Sequence, residues 1–456
     1  MINRDWYSYM LDRLVQVTIT ALNRMEPVTL TVAESDWRFG MGDKRDPRVI
    51  DPTLNVMQAV SVATGRVTAT MVQWAFHPEV TLGFSPTVPP EDCVALGEPA
   101  GCSANGKYVS ADFPGHLRTY LEAQYPGSDV IYINGPVGAQ IGAHGPVWEV
   151  SPEYPITGDG SVAPPGAVIL PRNFRKALLV GRELANAVIN TLAGPRAQVL
   201  PVSSVEYRTA PAFTRITNIL FRMGMAPRIG NPDVPFLIGY ALRDLFICKE
   251  GLKPSDENCV SDNYETVEIA GISVPVRKGT FARAVVHLVR LGPVTMFTIP
   301  GELAPEIANG LPADFDEPES VPRYFENPQF HPHGADYKMP GVLKDMAKCD
   351  YCWTFGLTGD AAGYIFPLSD WWLGCSSGPF CDGEGYITGE TCKAIVDEGR
   401  ELGKNTCMLG QTIQFEDHYE ETISAGWDVA QDVVDAFSTL FGVPPSGRFT
   451  KEDWTK

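Results

Sequence analysis

The chain has 456 residues, 44% of them hydrophobic and 20% charged, enough for one large domain or two to three ordinary ones with a substantial core. Its 55 acidic residues against 36 basic ones leave a net charge of −19, which argues against nucleic acid and against an anionic membrane surface as partners, though not against a neutral lipid. No apolar run reaches the length needed to cross a bilayer, so no transmembrane segment is expected.

Along the chain, Tyr7, Met10, Leu11, Leu14, Val15 and Leu22 recur at helical spacing, so residues 5–25 are expected to form an amphipathic helix. Residues 54–60 and 65–76 alternate or run apolar with β-branched side chains and read as strands that lead into His77. A Pro/Gly-rich excursion over 82–107 follows. Phe113-Pro-Gly then opens a helix that runs to Gln124, and 129–133 is a buried type of strand. Residues 171–192 form another helix, stopped by Gly194-Pro195. Strands are expected over 199–208, 266–274, 282–291 and 294–299, an irregular Pro- and acid-rich stretch over 312–348, and a last helix over 426–441. Because strands interleave with helices throughout, the expected fold class is α/β: a layered fold with a mixed β-sheet flanked by helices and long disulfide-closed loops. One domain over 1–456 is expected, with a Cys-rich insert at 371–407.

The 10 cysteines are even in number and sit in loops. Cys93 and Cys102 flank a Gly/Pro-containing loop, Cys248 and Cys259 a polar one, and the other six run from Cys349 to Cys407 with their pairing open. Loop-placed pairs of this kind read as disulfides formed in an oxidising compartment. A zinc knuckle from Cys349-Asp-Tyr-Cys352 with Cys375 and Cys381 is the competing reading, but no second Cys-x-x-Cys completes it. A secreted or periplasmic location is therefore expected. Met1-Ile-Asn-Arg-Asp-Trp is too polar for a signal peptide, so the segment that would carry one is expected upstream of Met1.

Several short strings place a chemically useful side chain beside a residue that fixes the backbone. His77 ends the apolar strand Met71-Val-Gln-Trp-Ala-Phe, and Pro78 prevents the ladder from continuing. A histidine so placed presents one ring nitrogen to a metal, or else serves the strand end structurally. Glu302 follows Thr298-Ile-Pro-Gly at another strand end, where it either points over the sheet edge or caps a helix over 304–309. Tyr364 follows the small-residue loop Gly356-Leu-Thr-Gly-Asp-Ala-Ala-Gly and is either a core aromatic or, beside a cation, a ligand. Tyr419, in His418-Tyr-Glu-Glu, is either an exposed aromatic or a neutral hydrogen-bond donor to a developing oxyanion.

In this order the strings resemble those of the neutral/alkaline (non-lysosomal) ceramidases, zinc amidases that hydrolyse N-acylsphingosine. Val109-Ser-Ala-Asp112-Phe-Pro-Gly and Ile131-Tyr-Ile-Asn134-Gly-Pro-Val-Gly138-Ala-Gln-Ile141-Gly142 are similar to two further elements of that family. The resemblance runs from about Asp5 to Gly426. It implies that His77, Glu302 and Tyr364 hold Zn2+, that Tyr419 donates to the oxyanion, and that the substrate is a small-molecule or lipid amide. Two family features are missing. The nucleophile loop, Gly-Asp-Val-Ser-Pro in the family, reads Gly138-Ala-Gln-Ile141-Gly142, and isoleucine cannot attack a carbonyl. The motif Thr-His-Thr-His-Ser-Gly-Pro, expected ahead of the first helix, is not in the chain. The resemblance thus leaves two expectations: a zinc-dependent hydrolase of an amide or ester, N-terminally incomplete, or a non-catalytic descendant that binds lipid or glycan.

Overall fold

Buried apolar side chains sort into clusters that define four stacked layers: helices, a sheet, a second sheet and helices. In the computed structural model, the residues described are 4–42, 49–81, 110–138, 140, 147–151, 154–157, 165–170, 173–201, 204–216, 245–247, 264–269, 272–277, 280–311, 340–367, 424–426 and 429–444. The expected mixed α/β layering is what forms.

The first sheet has the order β4-β3-β2-β1-β8. Its strands are β1 (Val28–Asp36), β2 (Thr53–Ser61), β3 (Val67–Trp74), β4 (Asp129–Asn134) and β8 (Gln198–Val199). All neighbours are antiparallel except β3 and β4, which run parallel. Side chains alternate between faces, as a pleated strand requires. Leu54 and Val56 on β2, with Val72 and Trp74 on β3, point to one face. Helices α2 (Asp112–Gln124) and α3 (Phe174–Leu192) cover it with Phe113, Leu117, Leu121, Val180, Leu184 and Val188. Asn173 caps α3 by accepting from the Lys176 N–H at 2.8 Å. Gly181 lets the two helices touch, since a Cβ there would stand 2.5 Å from the Cβ of His116.

The opposite face of that sheet meets the second sheet through Val32, Met57 and Leu200 on one side and Val294, Tyr351 and Trp353 on the other. The second sheet runs β10-β13-β14-β16, with β9 also paired to β13. These strands are β9 (Val205–Arg215), β10 (Leu245–Ile247), β13 (Thr280–Leu291), β14 (Val294–Thr298) and β16 (Tyr351–Phe355), of which β14 and β16 are parallel. Its outer face packs on α6 (Val429–Phe441) through Phe297, Val286, Leu288, Val433 and Phe437. Small sheets complete the chain: β5 (Val147–Ser151) with β6 (Tyr154–Thr157) and β7 (Val168–Ile169), and a hairpin of β11 (Tyr264–Ile269) and β12 (Ile272–Arg277).

Several elements differ from the sequence expectation. Strand β1 was not read as a strand, although Leu30 and Val32 alternate on its inner face. The strand expected over 199–208 is two strands in different sheets. The ladder of β8 on β1 stops before Pro201, which has no N–H to donate, and the chain crosses to β9 beside β13. The strand expected over 266–274 is the β11–β12 hairpin, reversing between Ile269 and Ile272. Within the stretch expected to be irregular, Leu343–Ala347 is a short helix, α5. Helix α1 (Arg4–Asn23) forms where the periodicity places it, but Trp6, Leu14 and Val17 are 59%, 56% and 64% exposed. Cys349 and Cys352 are joined in a disulfide at the start of β16, so this pair is local rather than reaching into the later cysteines. Cys93, Cys102, Cys248, Cys259 and the insert at 371–407 lie outside the described residues.

Candidate active site

Three parallel strand pairs end in one region: β3 with β4, β14 with β16, and the two-residue strands β15 (Glu302–Leu303) and β17 (Tyr364–Ile365). Carboxyl ends of parallel strands leave their loops free to converge, which is where α/β folds build sites.

His77 comes from the first sheet. Strand β3 ends at Trp74, and the chain bends through Ala75 and Phe76, both fully buried. The Tyr132 hydroxyl, from β4, donates to the carbonyls of Trp74 at 3.1 Å and Phe76 at 3.2 Å. Burial pushes the Tyr132 phenol well above its ordinary pKa, with the Asp112 carboxylate adding to the effect, so it is a neutral donor at physiological pH. The backbone N–H of His77 donates to the Gln140 carbonyl at 3.1 Å. His77 itself is 8% exposed.

Glu302 comes from the second sheet, and backbone contacts alone hold its turn. The N–H groups of Thr358, Ala362 and Leu357 donate to the carbonyls of Ile299, Pro300 and Gly301 at 2.9, 2.7 and 2.9 Å. The Glu302 N–H donates to the Gly363 carbonyl at 2.9 Å. Gly301 is required by closeness, because a Cβ there would stand 2.4 Å from the Gly363 oxygen. Gly138, from the loop after β4, packs equally tightly on this strand. Its N–H donates to the Leu303 carbonyl at 2.8 Å, and a Cβ would lie 2.6 Å from the Leu303 carbonyl carbon.

These two halves bring the imidazole Nε2 of His77 to 2.8 Å from Oε2 of Glu302, across 225 positions of sequence. The helix-capping alternative for Glu302 does not hold: Ala304 is the N-cap of the short helix α4 (Pro305–Asn309), with no side-chain cap. Tyr364 is the register partner of Glu302 in the parallel β15–β17 pair, and it is 8% exposed. Its carbonyl accepts from the Ser424 hydroxyl at 2.6 Å, which ties β17 to the segment before α6. Tyr419 and Ile141 lie outside the described residues.

An imidazole nitrogen and a carboxylate are both donors that zinc accepts, and here they point at one another from a largely buried position. Among the described residues no group of three His, Cys, Asp or Glu side chains gathers here or elsewhere. Sequence reasoning picked out the facing pair but missed its supports, Tyr132 and Gln140. Gln140 did carry a signal, as a polar side chain in the otherwise small and apolar run from Gly135 to Ala143.

No family model matches the sequence, and no curated protein does. Among solved structures, the chain is similar to a neutral ceramidase from Pseudomonas aeruginosa, with a TM-score of 0.48 and 12% identity over 98% of this chain and 58% of that one. It is also similar to a ceramidase complexed with C2, with a TM-score of 0.43 and 12% identity over 94% of this chain and 56% of that one. The chain thus spans less than two thirds of the length of either protein.

Proposed function

We propose that this chain carries the zinc-holding core of a hydrolase of the ceramidase type, acting on an amide or ester of a lipid or small molecule. One observation carries the reading: His77 and Glu302, singled out in sequence at two separate strand ends, meet at 2.8 Å. His77, Glu302 and Tyr364 would hold the ion. A bound zinc ion supplies Lewis-acid chemistry, polarising a carbonyl and lowering the pKa of water. The chain's own residues do the rest. The Gln140 carbonyl and the Tyr132 hydroxyl hold the backbone that bears His77, the buried surroundings exclude bulk water, and Tyr419 donates to the oxyanion. A secreted or periplasmic setting, the two loop disulfides and the absence of nucleic-acid partners belong to the same reading.

Zinc titration by calorimetry tests it. Wild-type protein should bind close to one ion, and His77→Ala or Glu302→Gln should each weaken binding more than about 100-fold, beyond what loss of an outer-shell partner costs. Wild-type protein that ignores zinc would overturn the metal assignment. Hydrolysis of a fluorescent N-acyl amide should be low and should vanish with chelator. Ile141→Ser alone should not raise it, because a serine without its partner base is a weak nucleophile. The isoleucine at the position of the family's serine favours a second reading, a non-catalytic lipid- or glycan-binding descendant. Zinc binding with no hydrolysis of either amide or ester probes would favour that reading.

A further inference from the structure

Gln140 is fully buried and makes hydrogen bonds in four directions. Its carbonyl accepts from the His77 N–H at 3.1 Å, and its own N–H donates to the Val137 carbonyl at 3.0 Å. Its side-chain Oε1 accepts from the Asp51 N–H at 2.9 Å, while Nε2 donates to the Pro136 carbonyl at 2.7 Å. One residue therefore ties together three connections of the first sheet: the segment entering β2, the bend after β3 that bears His77, and the loop after β4.

We propose that Gln140 is the positioning residue for His77, setting the backbone from which the imidazole reaches Glu302. This rests on the zinc-site reading for its consequence, though not for its geometry. The chemistry calls for an amide. A side chain here must accept from one buried N–H and donate to one buried carbonyl at once, which neither a carboxylate nor a hydrocarbon does. Without it, two backbone groups are left unpaired inside the protein, and the loop must shift to find partners. The segment that shifts is the one holding the His77 N–H. Tyr132 secures the same bend through carbonyls that precede His77, so Gln140 supplies the only described hydrogen bond to His77's own N–H.

The test compares wild type with Gln140→Met, which keeps the volume and loses both amide bonds, and Gln140→Asn, which keeps an amide on a shorter arm. Thr191→Val serves as a stability control, since Thr191 is buried on α3 and bonded to Ala187 and Ser35, away from the site. The first measurement is made without metal: amide hydrogen exchange at His77 and the 15N shifts of its ring. The second is zinc affinity by calorimetry. We expect exchange at His77 to accelerate at least about tenfold in Gln140→Met and zinc affinity to fall about 10- to 100-fold, the range seen for outer-shell partners, with Gln140→Asn between it and wild type. Thr191→Val should lower the melting temperature and leave both His77 readouts unchanged. If Gln140→Met lowers stability but keeps wild-type His77 exchange and ring shifts, the positioning role is overturned. Should Gln140→Met not fold, Gln140→Asn with unaltered His77 exchange is the overturning result. Wild-type protein that binds no zinc would defeat the metal reading alone, and the metal-free measurement would still decide the role of Gln140.

Discussion

The two halves of the candidate site are held by different means. On the His77 side, side chains join the backbone contacts: beside the bond from the His77 N–H to the Gln140 carbonyl, the Tyr132 hydroxyl and the Gln140 amide reach buried backbone groups around the strand end. On the Glu302 side, backbone meets backbone, and the residues that matter are those without side chains, Gly301 and Gly138. The first arrangement weakens when atoms are removed. The second fails when atoms are added. A loop held by replaceable side chains also tolerates graded change, whereas a turn held by close approach permits almost none.

The largest effect is therefore expected from adding one methyl group to the Glu302 half. Gly301→Ala places a Cβ 2.4 Å from a backbone oxygen and 2.9 Å from Ile365 Cδ1, and a backbone oxygen has little room to retreat. The expected cost is roughly 3 kcal/mol, at the upper end for overpacking, measured by urea denaturation. Gly138→Ala, facing Leu303 and Ala304 backbone at 2.6 and 2.7 Å, should cost a similar amount. Unchanged stability in both would mean that the two loops yield easily, and the contrast between the halves would collapse.

Tyr132→Phe removes an oxygen from the His77 half and adds nothing. The carbonyls of Trp74 and Phe76 lose one shared donor, and the ring stays packed against Phe113 at 5.5 Å between centroids. About 1 kcal/mol of stability should be lost, because the Trp74 carbonyl keeps the N–H groups of Phe76 and Gly135 as donors while the Phe76 carbonyl loses the phenol. A loss as large as that in Gly301→Ala would show that both halves are equally unforgiving.

These differences explain what the sequence made legible. Period-2 apolar patterns and strand-ending Pro and Gly residues located β2, β3, β13 and β14, and with them His77 and Glu302. Such patterns report how a strand is buried and not which sheet it joins. The strand expected over 199–208 is accordingly not one strand, because Pro201 divides it between two sheets. Strand β1 escaped notice although Val28, Leu30 and Val32 alternate with Thr29 and Thr31, because the alternation is short and gives way to Glu34, Ser35 and Asp36. Tyr132 is an ordinary strand aromatic by sequence, and its partners lie 58 and 56 positions earlier. No local rule joins positions so far apart. The pairing of Glu302 with Tyr364 likewise depends on a parallel register between two-residue strands, too short to leave any periodicity.

The smallest effect at neutral pH, and the one that sharpens the comparison most, concerns Asp51. Its N–H is held by Gln140 on the His77 side, while its carboxylate accepts from the Thr53 N–H at 3.0 Å. Burial raises the Asp51 pKa above the ordinary carboxylate value of 3.8. Hydrogen bonds from Thr53 and Asn309 and the charge of Lys344 only partly oppose the rise. Asn309 and Lys344 belong to α4 and α5, so this carboxyl faces both halves of the molecule. The sign follows from linkage. A folded-state pKa above the unfolded value means that the fold favours the neutral acid. Its contribution is fully present below the unfolded pKa and is lost as pH rises through the folded one. Asn keeps an acceptor oxygen for Thr53 without ever acquiring charge. Asp51→Asn should therefore match wild type near pH 4 and become progressively the more stable protein as pH rises towards 8, read from paired denaturation curves. A variant that instead loses stability at high pH would mean that the Asp51 charge is welcomed by Lys344, and that this corner is an ion pair spanning the two halves rather than a buried acid on one of them.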